Sequence, residues 1–181
     1  LYRQSFAITA EPDESYLLPF GKAKVVKEGT DITVVSYGVS MWDSYFAAKK
    51  LEEEYEYSVE VIDLRTIIPL DEETIFNSVK KTNKVIVIHE DTLTGGFGAE
   101  IAARISDTCF QYLDGPIKRI AAKDAHIHYS PILENEVLPE LGFRPTDGNS
   151  MVFLGTPTTP SEGIKAEFTG ENEERDKNFR Y

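Results

Sequence analysis

The chain has 181 residues, 41% hydrophobic and 28% charged, enough for one well-buried core and, at this size, one domain. With 31 acidic against 19 basic side chains the formal charge is -12, so a polyphosphate backbone or an anionic lipid surface is repelled on average; nucleic acid and membrane are excluded as partners. One cysteine, Cys109, excludes a disulfide framework or a cysteine-built zinc knuckle, and no apolar run reaches the about 18 residues of a membrane span, which fits a reducing, cytoplasmic setting.

The opening LYRQSFA lacks an initiator methionine, as expected of a domain cut from a longer polypeptide. Residues 1–15 read as the end of a preceding domain or a linker. After them come two short apolar runs parted by KEGTD, with Gly29 as turn residue; the second, 32–37, is β-rich and ends at Gly38. VSMWDSYFAAKKLEEEYE then carries Val39, Trp42, Phe46 and Leu51 as an apolar stripe widened by Met41, Tyr45 and Ala48, which predicts an amphipathic helix. YSVEVIDLRTI predicts a strand centred on Val59, Val61 and Ile62. In IPLDEETIFNSVKK, Asp71 is a natural N-cap. Glu72 and Glu73 load the first turn with negative charge, Lys80 and Lys81 the last with positive charge, and each pair complements the helix dipole.

KVIVIHE holds four consecutive apolar residues, the pattern of a strand covered on both faces. It leads through TLTGGFG into a helix continuing to about Leu113, and GPIKRIAA gives one more short strand after a Gly-Pro break. Strand and helix therefore alternate. That order builds an α/β fold with a three-layer α/β/α arrangement and a mostly parallel sheet, because parallel neighbours need crossover connections; the first run is free to pair antiparallel at an edge. The domain is expected over 16–141, and 142–181, rich in Pro, Gly, Thr and charge, reads as an irregular C-terminal extension.

The corner HEDTLTGGFGAE poses a choice between a phosphate cradle and a tight turn. A strand running through glycines into a helix can gather backbone N–H groups around an anion. Its spacing, however, is neither G-x-G-x-x-G nor a P-loop, and Glu90, Asp91 and Glu100 surround it with negative charge. Gly95, Gly96, Gly98 and Glu100 therefore read as a structural corner that lets helix and strand approach closely.

The blocks LPFGKAKVVKEGTDITVVSYG, VEVIDLRTIIPLDEETIFNSVKKTNKVIVIHE, GGFGAEIAARI and LDGPIKRIAAKD, in that order, resemble the C-terminal domain of the beta subunit of the thiamine-dependent decarboxylating component of 2-oxo acid dehydrogenase complexes. The resemblance runs from Leu1 to about Pro139 and implies the transketolase C-terminal fold. It implies a parent oxidoreductase of the pyruvate or branched-chain type, with thiamine diphosphate and a divalent metal held by other domains. Neither the diphosphate-metal signature nor the acidic residue that activates the aminopyrimidine matches anything in this sequence. No catalytic or cofactor-binding residue is therefore expected, and the chain alone is expected to be inactive. The partners implied are a second copy in a homo-oligomer, an alpha subunit or fused alpha region, and the dihydrolipoamide acyltransferase core. Alternatives are a free-standing ligand-binding or interaction module that kept the fold, or the equivalent domain of another thiamine enzyme such as transketolase.

Where the family usually has prolines after the last strand, this chain has KDAHIHYSP. Asp124, His126 and His128 alternate, so extended backbone would aim all three one way, as a metal site needs; solvated loop histidines are the competing reading. His89 ends a central strand, where open α/β sheets place ligands, and is read instead as a histidine that hydrogen-bonds locally and positions the loop. Asp63 and Arg65 read as an architectural ion pair, and Trp42, Tyr45 and Phe46 as core packing rather than a stacking platform for bases. Cys109 lacks the cationic neighbour that would activate its thiolate, and no G-x-S-x-G elbow exists.

Overall fold

The structure, a computed structural model, describes residues 12–139; the expected extension and most of the leading segment lie outside them. Five strands and four helices follow in the order β1 (Lys24–Lys27), β2 (Ile32–Ser36), α1 (Val39–Tyr55), β3 (Val59–Asp63), α2 (Glu72–Thr82), β4 (Val85–Thr92), α3 (Gly98–Cys109), β5 (Lys118–Ala122) and α4 (Pro131–Val137). The sheet order is β1-β3-β2-β4-β5. Only β1 runs antiparallel, against β3, and it sits at the edge as expected.

All five residues of β2 are buried, because this strand lies mid-sheet with helices over both faces. On one face Val34, Val61, Ile86 and Ile88 pack with Ala48 and Leu51 of α1. On the other, Val35, Ile62 and Val87 pack with Ile75 and Val79 of α2 and Ile101 and Ile105 of α3. Period-two alternation thus divides the apolar side chains between two cores, and three layers result.

Helix α1 departs from its predicted stripe. Its buried residues are Ser40, Met41, Ser44, Ala47, Ala48 and Leu51, so mostly small side chains face the sheet. Trp42, Tyr45 and Phe46 are half-buried and meet one another, with Trp42 and Phe46 rings 6.3 Å apart and Tyr45 and Phe46 rings 5.6 Å apart. Of the predicted stripe, Met41, Ala48 and Leu51 reach the buried face, whereas Val39, Trp42, Tyr45 and Phe46 stay half-buried. Small residues win that face because they let the helix axis come close to the strands, while large rings fit the outer flank.

In α2 the expected caps are in place. Asp71 accepts the Thr74 N–H and hydroxyl, and its second oxygen also accepts the Ala23 N–H at 2.9 Å, tying the approach to β1 onto the helix start. The lysines of the last turn do more than offset the dipole. Lys81 reaches across to Glu60 of β3, only 1% exposed, which also accepts from Ser78 and from the Gly29 N–H. Ser78 in turn meets Thr33 of β2 at 2.6 Å, and Thr82 meets the same hydroxyl at 2.7 Å. Burial pushes the Glu60 carboxyl up, but its three donors outweigh that and hold it below its ordinary value. A polar seam thereby pins α2, β2, β3 and the β1–β2 turn in register.

Helix α4 was not foreseen. Pro131 stands at its start after Ser130, a pairing in which proline's missing N–H costs nothing and its φ is already helical. The expected end of α3 near Leu113 resolves into helix to Cys109 and a 3-10 turn over Phe110–Tyr112.

Replacing Lys81 with Met is expected to lower the unfolding free energy by about 2 kcal/mol, below the full value for a buried pair because Lys81 is half-exposed. Since the wild-type Glu60 value is depressed, its contribution is present above about 4.5 and fades as pH falls through the folded value. Urea denaturation at several pH values checks both, and in K81M that acid-side loss should disappear.

Candidate functional site at the carboxyl end of the sheet

From β2 the chain passes through α1 to β3 on one side, yet β4 lies on the other side of β2. The winding reverses there. Beyond the carboxyl ends of strands at such a reversal is where open α/β sheets place ligands. The ends here supply Tyr37 after β2, Asp63 from β3, and His89, Glu90, Asp91 and Thr92 from β4.

His89 is 0% exposed and stacks on Tyr37, with centroids 5.9 Å apart and planes 10° from parallel. Neither ring nitrogen has a hydrogen-bond partner among the described residues. The local hydrogen bond expected of this histidine is therefore not made; packing holds it instead. A Cβ on Gly98 would lie 2.1 Å from His89 Nε2, and one on Gly96 would lie 2.1 Å from the Thr92 carbonyl oxygen and 2.9 Å from His89 Cε1. Real atoms cannot approach so closely, so both positions require glycine. Burial pushes the imidazole below its ordinary value, with the Asp91 charge and backbone pulling the other way without reaching hydrogen-bonding geometry.

The corner between β4 and α3 is closed by further bonds. Arg119 of β5 donates to the Leu93 carbonyl at 2.8 Å, and Leu93 donates to Ala122 at 3.0 Å. Thr94 donates its N–H and hydroxyl to the two carboxylate oxygens of Asp124, at 2.8 and 2.6 Å. Gly95 has φ +78, a left-handed conformation that favours glycine. Glu100 turns to Arg104 at 2.7 Å, and Arg104 also meets Glu72.

These residues do not fit a diphosphate. The space at Gly96 and Gly98 is filled by a carbonyl and an imidazole, and the Asp91 carboxylate lies 3.3 Å from a Gly96 Cβ position. Nor do Asp124, His126 and His128 converge. The backbone bends at 124–125, where Ala125 donates back to Lys123 at 2.7 Å, and both histidines are exposed. Asp124 is already occupied by Thr94. Among the described residues no group of three or more His, Cys, Asp or Glu could hold a metal ion.

Asp63 accepts the backbone N–H of Arg65 at 3.2 Å, so that contact runs through the main chain, and burial keeps the Asp63 carboxyl above its usual range. Cys109 is buried, which pushes its thiol up against the weaker pull of Lys80. A feature that sequence spacing could not signal is the pairing of Asp43 on α1 with Glu90 on β4. Asp43 is pushed up to about 6, first by burial and then by the Glu90 charge, and partial desolvation also raises Glu90. The two residues are far apart in the chain, and only the fold brings the Glu90 charge to bear on Asp43.

This geometry has known counterparts. The description "Transketolase, C-terminal domain" matches residues 21–141. The chain belongs to that family. It is 48% identical over 123 residues to the mitochondrial 2-oxoisovalerate dehydrogenase subunit beta of Chaetomium thermophilum, covering 67% of this chain and 26% of that one. The mitochondrial pyruvate dehydrogenase E1 component subunit beta of Dictyostelium discoideum is 45% identical over 139 residues, covering 76% and 39%. The 2-oxoisovalerate dehydrogenase subunit beta of Bacillus subtilis is 45% identical over 124 residues, covering 68% and 38%. A solved structure described as "Split gene transketolase, inactive beta4 tetramer" superposes with TM-score 0.58 at 26% identity, covering 71% of this chain and 40% of that chain. The chain thus spans about a quarter to two-fifths of these relatives' length. That superposition rests on this chain's mixed five-stranded sheet and the helices over it. None of the described helices is long and apolar enough to cross a membrane.

Alanine at the three glycines should rank by what each Cβ meets. Gly96→Ala, against backbone, is expected to be the most damaging, Gly98→Ala next at about 2 kcal/mol through displaced imidazole, and Gly95→Ala mildest at about 1 kcal/mol, from φ alone. Thermal denaturation of the three variants gives the order, and equal losses would contradict it.

For Asp43 the folded value of about 6 exceeds the ordinary 3.8, so the folded state holds the extra proton and stability falls as pH rises between those values. Asp43→Asn should then stabilise the chain at pH 7, by on the order of 1 kcal/mol once solvent screening is allowed for, and leave it unchanged below the window. Unfolding midpoints at both ends of the window measure this.

Proposed function

We propose that this chain is the C-terminal accessory domain of a thiamine diphosphate-dependent 2-oxo acid dehydrogenase of the pyruvate or branched-chain type. It serves subunit association and docking to the dihydrolipoamide acyltransferase core, and it is not catalytic alone. The observation that carries the reading is the identity of 41–48% to dehydrogenase beta subunits over 123–142 residues. The parent reaction is oxidative decarboxylation of a 2-oxo acid, with the acyl group passed to lipoamide. Thiamine diphosphate and its divalent metal belong to polypeptide outside the described residues, a reading supported by the donor set at the sheet end, which suits neither group.

The domain range 16–141 and the partners follow from the same reading. A second copy and an alpha subunit or fused alpha region bury its surface. Support comes from large apolar side chains left exposed: Leu17 and Phe20 before β1, Ile68 before α2, and Ile132 and Leu133 on α4. Leu17 and Phe20 lie close together in the chain, as do Ile132 and Leu133, and each is apolar surface that a partner would cover. The lone buried Cys109 suits a reducing compartment such as the cytoplasm. The glycine corner, Gly95, Gly96, Gly98 and Glu100, is architectural in this reading.

Calorimetric titration of the 181-residue chain with thiamine diphosphate and magnesium is expected to show no binding, and incubation with pyruvate or a branched 2-oxo acid no decarboxylation. Stoichiometric cofactor binding or turnover would overturn the accessory role. Light scattering on the chain tests self-association separately, and a monomer at high concentration would remove the homo-oligomer from the proposal.

A further inference from the structure

The corner beside α3 encloses a titratable group that association leaves without a task. His89 is fully buried, its ring lies between Tyr37 and the glycines that open α3, and both nitrogens are unpartnered among the described residues. We propose that His89 is an acid-sensitive latch: neutral, it seats beneath the first turn of α3 and keeps loop 93–97 closed; protonated, it leaves that seat and the loop opens.

The chemistry of the seat supports this. An imidazolium is a donor at both nitrogens, and this seat offers neither an acceptor in bonding geometry. The ring also abuts the start of a 12-residue helix whose N-cap, Phe97, supplies no side-chain cap, so the positive end of the helix dipole opposes a second positive charge there. A buried polar group without a partner is costly, and a buried charge without one is costlier.

The groups around the ring divide as follows. Just after β2, Tyr37 presents an aromatic face, and burial followed by the Asp91 charge raises its phenol. From β5, Arg119 opposes protonation. From α3, the first-turn acid Glu100 is turned to Arg104. Asp91, two residues on along β4, favours the proton through its charge and its backbone without reaching bonding geometry to the ring, and one of its carboxylate oxygens accepts the adjacent Thr92 N–H at 2.8 Å. Repulsion and missing acceptors therefore act together on the closed state, and the open state restores water to the ring.

Opening would strain the bonds that fasten the loop to β5 and its sequel, Arg119 to Leu93 and Thr94 to Asp124. These are the bonds that set how Leu93, 36% exposed, is presented at the sheet end. The latch thus makes that surface a function of pH without unfolding the sheet.

The test uses the full 181-residue chain. Nuclear magnetic resonance follows the three histidines, with His89 assigned by its loss in His89→Gln, while hydrogen exchange follows residues 92–101 and, as reference, α2 (Glu72–Thr82). His89 is expected to protonate below about 6.5. Between that value and its folded midpoint, corner exchange corrected for the intrinsic rate should speed by about tenfold per pH unit, while α2 stays protected. In His89→Gln the corrected corner exchange should be flat. Corner protection that does not change as His89 titrates, a step that survives in His89→Gln, or a parallel loss in α2 would each overturn the latch. If His89→Gln does not fold, the wild type decides: coincident His89 and Gly96 amide midpoints support it, and separate midpoints overturn it.

Discussion

The approach of α3 to the end of β4 governs the carboxyl end of this domain. It is set by the His89 imidazole, which fills the space that a side chain on the first residue of α3 would need. With His89 Nε2 2.1 Å from a Gly98 Cβ position, the helix start can come this near only because the first helical residue has no side chain. That proximity fixes the loop length, places Thr94 against Asp124, and orients the Arg119 bond to Leu93. A cradle for phosphate needs the opposite arrangement, with backbone N–H groups facing an open space. The space beside Gly96 and Gly98 is already spent on packing.

The same economy holds in the polar seam under α2. Glu60, Lys81, Ser78, Thr33 and Thr82 bring together residue types that could serve general acid or base chemistry, yet the oxygens of Glu60 and the Thr33 hydroxyl are engaged in bonds among themselves and to Gly29. A fully satisfied network of this kind fixes the pairing of strands that apolar packing alone leaves free to slip by two residues. Reactive groups held this way are geometry rather than reagents. It is a physical reason for this transketolase C-terminal domain to carry acids, a lysine and hydroxyls in one place whose bonding capacity is spent on holding the fold.

How much of this was legible in the chain divides along physical lines. The alternation of strands and helices, the edge position of β1, and the Asp71 cap rest on local periodicity and turn chemistry, and these read directly from neighbouring residues. The α1 face read only in part, through Met41, Ala48 and Leu51. Trp42 and Phe46 satisfy the helical period as well as Met41 and Leu51 do, and the choice between them depends on how closely a helix must approach a sheet, which hydrophobicity does not encode. The extended backbone expected at Asp124, His126 and His128 failed because Thr94, 30 residues away, draws both Asp124 oxygens into a bend. Helix α4 left a signal, Ser130 followed by Pro131, that was short enough to pass for a loop. The pairing of Asp43 with Glu90 left none, since it exists only through the contact of α1 with β4.

On β4, adjacent residues hold opposite titration behaviour on opposite faces of one strand. His89, toward α3, loses stability when it gains a proton; Glu90 and its neighbour Asp43, toward α1, lose stability when they give one up. As pH falls, protonating Asp43, pushed up to about 6, relieves the α1 face, while protonating His89, which burial holds below its ordinary value, burdens the α3 face. The two linkages have opposite signs, so a global unfolding curve records only their sum. Alternation by one residue along a strand is enough to separate them in space, because each acts on a different helix. The net charge of -12 adds a diffuse repulsion that weakens with acid everywhere, but it cannot distinguish the two faces. Ring packed against glycine on one side, and a half-buried carboxyl within the field of a second on the other, convert a shared strand end into two separate responses to the same proton.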